Sequence, residues 1–169
     1  MPARVVTRCL VSTLAGGVLL LAQQTFGQSQ RESGERLIRD QEQRWNISCE
    51  SIHPRAHKFV AEYIPRLLTA GTDGSGPLHG RYASIGKEAS ELSDQTLKCY
   101  GIEPIARNTG VPFESDFGEL HEVLRTTHEF IESIVSKKHQ VLRDHNRSEL
   151  RKRYDELKSG TGRRYRTRT

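Results

Sequence analysis

One run limits the fold more than any other. Ser115 to Leu157 contains no proline and carries its apolar residues at helical spacing. Phe117, Leu120, Leu124, Ile131, Ile134 and Val135 fall on one face, and Val123 and Phe130 widen it. A half-buried strand would alternate instead. Pro112 lies just upstream, and Asp116 followed by Glu119 has capping-box spacing. Glu114, Asp116 and Glu119 also suit the positive end of a helix. Ser159-Gly160 is a stop signal. One helix over this run would be about 60 Å long, more than a small domain is wide.

The stripe thins after Val135. The first half is therefore expected to pack on a core. The second half, from Ser136 to Leu157, is expected to project, to pair with another chain as a coiled coil, or to break near His145-Asn146. Leu150, Tyr154 and Leu157 keep a four-three spacing, flanked by Arg147 and Arg151. These five residues are the expected partner-binding surface. Glu149–Arg153 and Arg151–Asp155 have the spacing of helix-surface ion pairs.

Three shorter helices precede the run. The first is expected over Ser33–Ile52, where Ile38, Trp45, Cys49 and Ile52 share a face. His53-Pro54 ends it, because proline disfavours a helical residue before it. The second starts at Pro54 and carries Phe59, Val60, Tyr63, Ile64, Leu67 and Leu68, with Pro65 kinking or splitting it. Residues 71–80 are a glycine-rich loop. The third helix covers about Arg81 to Tyr100, with Ile85, Ala89, Leu92 and Cys99 inward, and a second loop runs from Gly101 to Pro112. The expected fold is all-α: a small bundle of three shorter helices packed on one long C-terminal helix.

Residues 1–27 have the form of a secretory signal peptide. Arg4 and Arg8 precede an apolar run, Leu10 to Ala22, and small residues at Thr25 and Gly27 place cleavage before Gln28. The apolar run is short for a membrane span, so no stable span is expected. Residues 28–158 form the helical domain and 159–169 a basic tail. From Arg143 onward ten basic and four acidic residues leave +6, so the formal +5 of the chain comes from its C-terminus. The tail cannot bury enough apolar surface to fold alone. Export and the absence of any nucleic-acid-binding signature argue against nucleic acid as a partner.

Cys49 and Cys99 lie on apolar stripes and lack the CxxC spacing of a redox or metal pair. In an exported chain they are expected to form a disulfide. Among the histidines, His57, His121, His128 and Glu132 are the candidate metal ligands. His121 and His128 are about 10 Å apart along a helix, so one ion would need His57 from another helix. His53 is set aside because Pro54 puts it at a helix boundary. No GxSxG, HExxH or P-loop occurs, so no enzyme activity and no cofactor are expected. The chain is thus expected to be a periplasmic or secreted, non-enzymatic helical protein. It would bind a protein partner, or a second copy, through the long C-terminal helix, as a secretion-machine component or an immunity or adaptor protein. The alternative is a periplasmic metal-binding sensor or scavenger.

Overall fold

The structure, a computed structural model, describes residues 12–70 and 78–160, with side chains from residue 27 onward. The expected tail therefore lies outside the described residues, apart from its first two. All regular structure among the described residues is helical: α1 (Ser12–Trp45), α2 (Cys49–Thr69), α3 (Tyr82–Thr109), α4 (Phe117–Val135) and α5 (Gln140–Ser159). None of these helices is long and apolar enough to cross a membrane. The helix α1 runs unbroken across the expected cleavage point before Gln28.

The expected long C-terminal helix is two helices. The chain breaks at residues 136–139, upstream of His145-Asn146. Lys137 takes a left-handed φ of 50°, and its N–H donates to the Ile134 carbonyl at 3.0 Å. His139 then caps α5, its Nδ1 accepting the Val141 N–H. The polar SKKH stretch permits this turn, and burial drives it. Folding back places Leu150 (0% exposed) and Leu157 in the main core, with Tyr154 packed against it. The projecting C-terminal arm is therefore corrected: its apolar stripe is covered by this chain itself. One hydrogen bond and one longer-range attraction accord with the antiparallel alignment. Asn146 donates to the Glu129 carbonyl at 3.2 Å, and the charge of Arg153 acts on the Glu122 carboxylate. The expected Glu149–Arg153 ion pair forms at 2.9 Å.

The other boundaries shift for local reasons. Asn46, with φ of 50°, ends α1 before Cys49, a backbone region asparagine tolerates. Cys49 and Ile52 therefore open α2 instead of closing the first helix. Helix α2 passes through Pro54 and Pro65. Both prolines are exposed, and the carbonyls they deprive, of Glu50 and Ala61, belong to exposed residues. Burial of Phe59, Val60, Ile64 and Leu67 on the opposite face outweighs that loss. Helix α3 likewise continues through Gly101 and Pro104, because Ile102 and Ala106 are buried. It stops at Gly110, where φ is 68°. The N–H groups of Gly110 and Val111 both donate to the Ala106 carbonyl.

Helix α3 is central, packing on α4, α1 and α2. The larger core joins α2, the first half of α3, α4 and α5. A smaller core joins Ile38, Cys49, Ile52, Cys99, Ile102, Ala106 and Phe117. The Cys49–Cys99 disulfide lies in the smaller core, with Cα atoms 5.6 Å apart. Where α1 crosses α3, Gly34 lies against Thr109. A β-carbon on Gly34 would stand 2.1 Å from Thr109 Oγ1 and 2.4 Å from its Cβ. At the other end of this contact, Trp45 lies 3.7 Å from the place of a β-carbon on Gly101. The two helices are thus antiparallel, and Thr109 is the last residue of α3. The part of α1 before Gly34 runs past the end of α3, and residues 27–33 are exposed.

Candidate metal centre

The start of α2 is built by side chains that do not belong to it. Ser48 stands at its N-cap but makes no side-chain cap bond. The Cys49 N–H instead donates to Glu42 Oε1 of α1 at 2.7 Å. With the helix already formed at Cys49, His53 lies inside it. His53 and His57, four residues apart, then share a face.

That face meets the start of α4. Asp116 occupies the N-cap, and its carbonyl accepts the Leu120 N–H at 2.9 Å. Its carboxylate caps nothing. His53 Nε2 lies 2.7 Å from Oδ1, and His57 Nε2 lies 2.9 Å from Oδ2. Each carboxylate oxygen thus accepts one imidazole N–H in the tautomer this network selects. The expected capping box is replaced by a bridge between helices. The positive end of α4 supports the same carboxylate. Burial alone would push the Asp116 carboxyl up, but the hydrogen bonds and charges of His57 and His53 prevail and bring it down from 3.8 to about 2.

The cluster is shielded on one side and open on the other. Side-chain exposure is 7% for Asp116, 20% for His53 and 42% for His57. The His53 ring stands edge-on to His57 and to buried Phe117, at centroid distances of 4.6 and 5.3 Å. The three ligand atoms all lie within 4.8 Å of one another. A tetrahedral ion with bonds of about 2.0 Å needs ligand atoms about 3.3 Å apart. Because the two imidazoles meet different oxygens of Asp116, one short contact would lengthen while the other imidazole turned toward the oxygen that takes the ion. Both imidazoles would then bear their proton on Nδ1 and present Nε2 to the ion. Two imidazoles and one carboxylate form a donor set suited to zinc and its transition-metal neighbours, with one position left for water or a further ligand.

The expected ligand set does not assemble. Of its four members only His57 belongs to the cluster. His121 Nδ1 lies 3.0 Å from Ser93 Oγ, and His128 Nδ1 lies 3.1 Å from the Gly86 carbonyl. Both histidines tie α4 to α3. Glu132 accepts the Ser136 hydroxyl at 2.7 Å. His53 and Asp116 are the members of the cluster that sequence reasoning missed. The i,i+4 spacing of His53 and His57 was the available signal, and the helix start placed at Pro54 masked it. Among the expected partner-binding residues, Leu150 and Leu157 are core and Arg147 donates to the Leu68 carbonyl at 2.5 Å. Arg151 is exposed.

Beside the cluster lies a groove of about 590 Å³ between α1, the first turns of α2 and residues 111–117. His53 and Phe117 belong to both. Ile38, Val111 and Phe113 contribute apolar surface, and Glu42, Glu50 and Glu114 line it. Among the described residues, no lysine or arginine does. No family model, curated protein or solved structure matches this chain.

Proposed function

We propose that this chain is an exported binding protein for a divalent transition-metal ion, acting as a sensor or scavenger, with His53, His57 and Asp116 as ligands. The convergence of two histidines and a buried carboxylate from two helices carries this reading. The Cys49–Cys99 disulfide is in keeping with an oxidising compartment, periplasmic or extracellular. Partner binding through α5 loses support, because the stripe that motivated it is core.

Cobalt(II) titration tests the proposal through the absorption of a four-coordinate site, and calorimetry with zinc gives the stoichiometry. One ion per chain is expected, with protons released on binding. His57→Ala should lower affinity by about tenfold or more, and its exposure makes it the variant least able to disturb the fold. Binding absent in the parent, or undiminished in both His57→Ala and His53→Ala, would overturn the reading.

A further inference from the structure

We propose that the turn between α4 and α5 is a docking tip for an anionic membrane surface. The inference does not depend on a bound metal. Residues 135–142 are all exposed. Of the six large hydrophobic side chains exposed among the described residues, three lie here: Val135, Val141 (70% exposed) and Leu142. Apolar side chains scattered singly over a surface need no explanation, but three on one helix–helix turn mark a contact surface. Lys137, Lys138 and Arg143 stand among them, and residues 135–143 contain no acidic residue. The turn is built to hold the lysines outside: Lys137 takes its left-handed φ here, and the Lys138 N–H donates to the Ser133 carbonyl at 3.0 Å. The positive end of α5 adds to the same field.

The chemistry of the patch favours lipid over protein. Protein interfaces are anchored by aromatic residues and arginine and are poor in lysine. Residues 135–143 hold aliphatic anchors, two lysines and no phenylalanine, tyrosine or tryptophan. Aliphatic side chains fit the boundary between headgroups and acyl chains, and cations beside them are drawn to anionic headgroups. Each cation near such a surface strengthens binding by about fivefold, so the contact is reversible. The fold sets what docking presents to the water. His128 meets the Gly86 carbonyl and His121 meets Ser93, so α3 runs antiparallel to α4. Leu97, exposed on α3, therefore lies toward the end of the molecule away from the tip. Asp116 caps that far end of α4, about 30 Å along the helix from Val135. A molecule docked by its tip holds the His53–His57–Asp116 cluster clear of the membrane.

Fluorescence quenching in the full chain tests this. The vesicles are an equal mixture of phosphatidylcholine and phosphatidylglycerol with brominated acyl chains. Val141→Trp puts an indole at the tip, and Leu97→Trp puts one at the exposed site away from it. Trp45, residues 1–27 and residues 161–169 are common to every arm and cannot produce a difference between arms. We expect the bromines to quench the indole of Val141→Trp and to spare that of Leu97→Trp. Brominated phosphatidylcholine alone should quench neither. Adding Lys137→Gln and Lys138→Gln to Val141→Trp should raise the lipid concentration for half-maximal quenching by about tenfold or more, with the helical circular dichroism unchanged. Raised salt should act in the same direction. Quenching that is absent at Val141→Trp, equal at the two sites, equal on neutral vesicles or indifferent to the lysine substitutions would overturn the proposal. So would an indole that responds to soluble polyglutamate and not to vesicles, which would assign the tip to an acidic protein.

Discussion

His57 Nε2 stands 2.9 Å from Asp116 Oδ2 across 59 residues of sequence. With His53 on the other oxygen, this contact makes the Asp116 carboxylate a junction between α2 and α4.

Acid titration reads that junction. The folded value of Asp116, about 2, lies below its ordinary 3.8, so the unfolded chain binds the proton more readily. The stabilisation is complete above 3.8 and is lost as pH falls through about 2. It amounts to about 2 kcal/mol. Asp116→Asn should lower stability at neutral pH by that order and flatten the acid limb. Urea unfolding at a series of pH values measures both, and an unchanged acid limb would exclude this role.

The disulfide predicts a thiol count. Unfolded, unreduced protein lacking residues 1–27 should show no free sulfhydryl, and protein retaining them should show one, from Cys9. Any further thiol contradicts the bond. Reduction should destabilise the fold by about 4 kcal/mol in the chain-entropy model.

Leu150 and Leu124 are both fully buried. Each substitution to alanine should cost about 2–5 kcal/mol in the lone monomer. A Leu150→Ala variant as stable as the parent would restore the projecting helix.

Gly34→Ala should destabilise the α1–α3 crossing by about 1–3 kcal/mol. Thr109→Ala should not rescue it, because the Thr109 β-carbon itself lies 2.4 Å from the new methyl position. Thermal unfolding of the two single variants and the double variant decides this.

Some of this was legible in the sequence. The all-α class, the apolar faces of α2 and α4, and the cysteine pair followed from periodicity and spacing. The rest was hidden where tertiary burial overrides local signals. Pro54, Pro65 and Pro104 mark breaks by local rules, yet each is carried inside a helix whose other face is buried. The turn at Lys137 has no glycine to announce it. The metal candidate was hidden for the same reason, since His53 joins His57 only once α2 begins at Cys49. Asp116 was recognised as an N-cap, but its side chain turns to another helix.

The Cys49–Cys99 bond also sets a load path. Topologically the oxidised chain is a closed loop with two linear arms. A pull on its two ends passes through the sulfur–sulfur link and bypasses residues 50–98, withholding about 170 Å of contour length. His53 and His57 ride on the bypassed loop, while Asp116 belongs to the loaded arm. Tension would therefore pull the carboxylate and the two imidazoles in different directions, loading the His53–His57–Asp116 junction across its hydrogen bonds.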